Sequence, residues 1–164
     1  MRALFLDFDG VLHPVSAIAD QRSKVTSADL PHLKQSRDLL RWLPILERAL
    51  EDHPDVAIVV HSGWRGLTAN TQMRDYLGTL SDRFIGITSL QLDRYEGIVE
   101  FARRADLDQY LILDDATHEF PAALPELVSV DPELGLTQEL PVAQLRTWLD
   151  HTIPTHSPMP MMVG

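Results

Sequence analysis
The apolar positions of the chain fall into two kinds of pattern. Short continuous runs occur at Ala3–Leu6, Val56–Val60, Arg83–Ile87, Tyr110–Leu113 and Leu127–Val130. Such runs, most clearly the β-branched Val56–Val60, predict strands buried on both faces. Between them apolar residues recur at helical spacing. Leu39, Leu43, Leu46 and Leu50 do so around Pro44, which is comfortable only in a first turn, so a helix is predicted from about Pro44 to Asp52, ahead of Pro54. Thr68–Leu77 is also helical in pattern. Tyr95, Ile98, Ala102 and Ala105 form a stripe that follows Asp93 and Glu96, a pairing with the form of a capping box. Thr137–His151, with Leu140, Leu145, Trp148 and Leu149, predicts a closing helix. Residues 13–36 lack a clean period and read as a loop or small flap, with a short helix near Ala28–Arg37; the flap extends over 14–43 at its widest. Residues 153–164, rich in Pro and Met, read as a loose tail.

Strands alternating with helices imply an α/β fold with a parallel sheet covered on both faces. In such sheets the ligand crevice lies beyond the carboxyl ends of the strands. Three strands here end in polar residues: Asp7 and Asp9, then Ser62, then Asp114 and Asp115. Side chains two apart on a strand point the same way, so Asp7 and Asp9 are expected to project together. Carboxylates that close repel unless a cation or a shared proton intervenes. Gly10 lets the backbone turn behind them. One acidic strand end reads equally as a solvated turn, but three that meet at one edge do not.

Four converging carboxylates call for a counter-ion, and oxygen-only ligands suit a hard cation, with Mg²⁺ the natural candidate. One aspartate can then act as a nucleophile that forms an aspartyl-phosphate. A second can exchange a proton with the leaving group and with water. A hydroxyl and a cation would hold the phosphoryl oxygens.

Composition narrows the picture. The length of 164 residues suits one domain, read as residues 1–152. A net charge of −10 argues against broad electrostatic capture of nucleic acid, although a local basic groove stays open. Lys24 and Lys34 are the only lysines, so a cation needed further along must be arginine. The absence of cysteine excludes disulfides, thiolate catalysis and Cys-based zinc sites. No apolar run is long enough to span a membrane, and a strand beginning almost at Met1 leaves no room for a signal peptide, so a cytoplasmic location is expected.

The set Leu6-Asp7-Phe8-Asp9-Gly10-Val11, Ser62 after a hydrophobic strand, and Leu113-Asp114-Asp115 resembles the motifs of the haloacid dehalogenase (HAD) superfamily, in order and in strand context. Ser62-Gly63-Trp64-Arg65, Asp114-Asp115 and Gly135-Leu136-Thr137 are similar, more narrowly, to the small HAD domain of Swiss-army-knife RNA repair proteins. The Ser-Gly-x-Arg piece is also similar to polynucleotide-kinase 3′-phosphatase domains, whose motif is one residue shorter there. The resemblance covers about residues 1–150. It implies a Rossmannoid three-layer α/β/α sandwich with a central parallel sheet of about five strands in the order 3-2-1-4-5, and a minimal cap or none.

It also implies roles. Asp7 would be nucleophile and Mg²⁺ ligand. Asp9 would be the general acid/base and lend its backbone carbonyl to the metal. Ser62 would hydrogen-bond the phosphoryl group, beside Gly10 and Gly63, and Asp114 with Asp115 would complete the metal site. The family's third-motif cation falls to Arg94, with Arg65 as the competitor or as a ligand of substrate phosphate. The partner would be a phosphorylated substrate, in the narrower resemblance a polynucleotide end; a nucleotide or other small phosphate is the alternative. Haloalkanoate dehalogenation does not need the Mg²⁺ aspartates in this arrangement. A catalytically idle interaction domain is the rival from another class, against which stands the cost of keeping buried like charges without use. His13, His61 and His118 lie near the motifs, each either a hydrogen-bonded structural residue or a substrate contact. Trp64 either packs under a helix or stacks on a base.

Overall fold
A computed structural model describes residues 1–19, 39–66 and 69–151. Five strands, β1 (Arg2–Leu6), β2 (Val56–Val60), β3 (Phe84–Ile87), β4 (Gln109–Asp114) and β5 (Leu127–Ser129), form one parallel sheet in the order β3-β2-β1-β4-β5. The helices among the described residues are α1 (Ser16–Ala19), α2 (Leu43–Leu50), α3 (Asn70–Tyr76), α4 (Arg94–Arg104) and α5 (Glu139–Asp150). The alternation of β1 assigns the layers. Leu4 and Leu6 face one side, where they meet Leu46 and Leu50 of α2, Met73 of α3, and Leu145 and Leu149 of α5. Ala3 and Phe5 face the other, against Ile98, Phe101 and Ala102 of α4. The three-layer α/β/α architecture and the strand order are those implied by the sequence.

The ends of the elements differ from the expected ones for local reasons. Helix α2 begins at Leu43, so Pro44 lies in the first turn, where its missing N–H costs nothing. Helix α5 starts two residues late, after a 3₁₀ turn at Gly135–Thr137, and Pro141 likewise falls in its first turn. In that turn Gly135 has φ +45, and a Cβ there would lie 2.3 Å from the Trp42 ring. Asp93 does not form the expected capping box: its side chain makes no cap bond, its carbonyl takes the Gly97 N–H at 2.8 Å, and the exposed first turn of α4 can be satisfied by solvent. The helix expected near Ala28–Arg37, most of the flap, Thr68 and the tail lie outside the described residues. Among the described residues no helix is long and apolar enough to cross a membrane.

Register carries the fold to the site. Leu6 pairs with Val60 on one side and with Leu113 on the other. The residues that follow these three, Asp7, His61 and Asp114, are therefore level and adjacent at the carboxyl edge. Backbone bonds continue the ladder there, from Asp7 N–H to the Leu113 carbonyl (3.2 Å) and from His61 N–H to the Leu6 carbonyl (3.1 Å). Arg2 ties the opposite edge. Its guanidinium reaches Asp55 at 2.8 Å and the carbonyls of Trp148, Leu149 and His151 at 3.0–3.2 Å, closing the end of α5 onto the first strand.

Candidate active site
Strand β1 stops at Leu6, and Phe8–Leu12 forms a tight turn in which the Val11 and Leu12 N–H groups both donate to the Phe8 carbonyl. The strand alternation expected to project Asp7 and Asp9 together is broken by this turn. The carboxylates that can share one cation are instead Asp7, Asp114 and Asp115, with one oxygen from each lying within 4.8 Å of the others. The Asp9 carboxylate, for which the acid/base role was expected while its backbone carbonyl served the metal, lies outside this trio: its Oδ1 accepts the Trp64 indole N–H at 2.8 Å and lies 2.8 Å from His13 Nε2.

Each remaining contact has an identifiable origin. Asp7 Oδ1 accepts the Phe8 N–H at 2.8 Å. Asp114 Oδ1 accepts the Ala116 N–H at 2.8 Å, and its Oδ2 lies 2.6 Å from His61 Nε2 and 2.7 Å from Arg94 Nη1. Arg94 stands at the first position of α4; the same Nη1 reaches Asp7 Oδ2 at 3.2 Å, and its Nε donates to Glu119. Of the two arginines weighed for the cation role, Arg94 is the one that bridges the aspartates. Arg65, half-buried, donates to Thr88 Oγ1 instead, and its Nε is buried without a hydrogen-bond partner. Ser62 is fully buried at the end of β2 and accepts the Trp64 N–H at 3.2 Å, while Gly63 beside it is exposed.

Gly10 contributes by lacking a side chain. Its φ is +78, and a Cβ at that position would lie 2.5 Å from Asp115 Oδ2, so the turn leaves the space that Asp115 fills. Its N–H donates to the His13 carbonyl at 2.8 Å. Trp64 is a core residue, edge-on to both Phe8 and Tyr76, and His118 is exposed on the turn Thr117–Glu119. A cavity of about 320 Å³ opens over the cluster, lined by Asp7, Asp9, Gly63, Arg94 and Asp115, with Val15 and Pro132 as a wall joined by the Val15 N–H to the Pro132 carbonyl (2.9 Å). A larger one of about 710 Å³, between β4, β5 and α5, is lined mainly by apolar groups such as Leu127, Leu140 and Trp148 and gathers no comparable charge.

The electrostatics match a site short of positive charge. Burial raises the Asp7 pKa well above the ordinary value, Asp114, Asp9 and Asp115 add to this, and Arg94 opposes it. Burial and the Asp114 charge raise Asp115. Burial alone would raise Asp114 too, but the His61 hydrogen bond, Arg94 and the Ala116 N–H together carry it below the ordinary value. Burial lowers His61 despite its contact with Asp114. A neutral His61 that donates from Nε2 leaves its Nδ1 as an acceptor, and that atom is buried without a partner. Asp7 and Asp115 therefore gain from a cation or from protons, and a donor set of three carboxylate oxygens fits a hard divalent ion.

A family model described as the HAD domain in Swiss Army Knife RNA repair proteins matches residues 3–140. The chain belongs to this family. No curated protein and no solved structure matches it. Family HAD domains generally use Mg²⁺, in keeping with the acidic cluster at Asp7, Asp114 and Asp115. Sequence reading singled out Arg94 and both halves of the cluster from motif order. It did not find Glu119 as the partner of Arg94, or Thr88 as that of Arg65, because neither lies in a motif and each pairing spans more than twenty residues.

Proposed function
We propose that this HAD domain is a Mg²⁺-dependent phosphomonoester hydrolase that works through an aspartyl-phosphate on Asp7. One observation carries the reading: Asp7, Asp114 and Asp115 present oxygens within 4.8 Å of one another while Arg94 bridges Asp7 and Asp114. Mg²⁺ held by Asp7, Asp114, Asp115 and the Asp9 carbonyl would offset the negative charge that nucleophile and phosphoryl group bring together.

The Asp7 carboxylate attacks phosphorus, and the bond to the leaving oxygen breaks as Asp9 gives that oxygen a proton. Water then attacks the phosphorus of the aspartyl-phosphate, Asp9 takes its proton, and phosphate leaves with the Asp7 carboxylate restored. The exposed Gly63 backbone lines the cavity that would take the phosphoryl group, Ser62 lies buried next to it with its hydroxyl as the donor proposed for a phosphoryl oxygen, and Arg94 holds Asp7 and Asp114 in place. Arg65 lies outside the cavity lining, beside Thr88, and is read as a contact for a further phosphate of a longer substrate.

Among the described residues the wall near the cluster is the segment around Val15 and Pro132, and family membership favours a polynucleotide end phosphate. The net charge of −10 and the modest cavity favour a nucleotide or another small phosphate as the second reading. Phosphate release with Mg²⁺ from an oligonucleotide 3′-phosphate, mononucleotides and an aryl phosphate, with Asp7→Asn as the blank, separates these. A preference for the oligonucleotide supports end-processing, and a preference for small phosphates supports the second reading. Silence on all three while Mg²⁺ still binds returns the chain to an interaction domain.

A further inference from the structure
Asp9 stands off the strand, in the turn that follows β1. Two N–H groups from separate segments converge on one oxygen of its carboxylate. The Trp64 indole donates to Oδ1 at 2.8 Å. The direction of that N–H is set by packing, because the indole is buried and edge-on to Phe8 (5.4 Å between centroids) and to Tyr76 (5.5 Å). His13 Nε2 lies 2.8 Å from the same oxygen, with its ring buried 5.7 Å from the Trp64 ring. The His13 tautomer is set from its other side. The Leu40 backbone N–H points at His13 Nδ1 at 3.3 Å, and an N–H can only donate, so Nδ1 accepts and the hydrogen sits on Nε2, facing Asp9. Leu40 makes that contact with φ +56, a left-handed conformation that an L-residue adopts only at a cost.

We infer that Trp64 and His13 are positioning residues that grip the Asp9 carboxylate by Oδ1, and that the Leu40 N–H fixes the His13 tautomer that makes this grip possible. The inference rests on the proposed acid/base role of Asp9. Two donors on one oxygen stop the carboxylate from rotating, so the proton-carrying group meets the leaving oxygen in one orientation.

The test uses the full chain with Mg²⁺ and two substrates of unlike leaving group, 4-nitrophenyl phosphate and n-butyl phosphate. A positioned acid matters for an alkoxide and little for nitrophenolate, and kcat/KM reads the step in which the leaving group departs. Trp64→Phe removes the N–H and trims the buried ring, and the packing loss is common to both substrates, so the difference between them reads the N–H. The substitution is expected to lower kcat/KM about tenfold for butyl phosphate and less than about twofold for the aryl ester. His13→Leu should do the same, and His13→Gln, which retains an amide N–H, should recover most of the loss. Should His13→Leu fail to fold, Trp64→Phe carries the test. Equal losses on both substrates, or none, overturn the inference.

Asp9→Asn separates the two levels. If it leaves butyl phosphate turnover intact, the acid/base reading fails. If it abolishes that turnover while Trp64→Phe does not change the leaving-group dependence, the reading stands and the grip falls. Independently of turnover, the indole N–H resonance that disappears in Trp64→Phe should move in Asp9→Ala, and an unmoved resonance contradicts the contact.

Discussion
Asp7 and Asp114 stand side by side on adjacent strands, yet their environments push them in opposite directions. Asp7 has one N–H and one guanidinium for compensation, whereas Asp114 has two strong donors on one oxygen and a backbone N–H on the other. The sign of the pH dependence follows. The raised pKa values of Asp7 and Asp115 contribute stability that is full below the ordinary carboxylate value of 3.8 and is lost as pH rises through their folded values. The lowered Asp114 contributes stability above 3.8 that is lost only as pH falls further. Metal-free protein should therefore melt at a higher temperature near pH 5 than near pH 7.5, and the increase produced by Mg²⁺ should be larger at pH 7.5. Thermal denaturation in chelator and in Mg²⁺ at both values checks this; an Mg²⁺ effect independent of pH contradicts it. Gly10→Ala would force Asp115 aside as well as strain the turn. It should weaken Mg²⁺ binding by about tenfold or more, measured by calorimetry, in line with other residues that orient metal ligands.

At the scale of elements, strands were legible and contacts between them were not. Val56–Val60 and Tyr110–Leu113 announce themselves because a strand covered on both faces must be apolar throughout. Motif order then placed Asp7, Ser62 and Asp114 at strand ends. The link from His61 to Asp114 depends on three strands being level, which no local pattern reveals, and the turn that parts Asp9 from Asp7 depends on Phe8 carbonyl geometry. Asp93 and Glu96 had the spacing of a capping box, yet the carbonyl of Asp93 and solvent serve α4 in its place. Arg2 is another such contact: it reads as the polar start of a strand, but it holds three carbonyls at the end of α5. Arg2→Met should cost about 1.5–3 kcal/mol in urea denaturation, the range for hydrogen bonds to a charged group, and leave Mg²⁺ affinity unchanged. A loss of metal binding would mean that the two edges of the sheet are coupled.

Across the whole molecule, a chain of net charge −10 is proposed to take an anionic substrate, so under that proposal recognition comes from the cations near the cavity. Arg94 is committed to three carboxylates, and Arg65 lies near them beside Thr88. Arg65→Ala should raise KM for an oligonucleotide 3′-phosphate by about tenfold, one phosphate contact, while the aryl phosphate is little affected. Equal effects on both substrates would place Arg65 in the machinery common to all phosphates. The central claim, covalent chemistry at Asp7, is tested most directly by rapid acid quench of the chain with Mg²⁺ and substrate, followed by peptide mass measurement. The account predicts a transient phosphoryl group on the peptide containing Asp7, lost in Asp7→Asn or without Mg²⁺; steady turnover with a phosphoryl group trapped on a different residue, or undiminished turnover by Asp7→Asn, would contradict it.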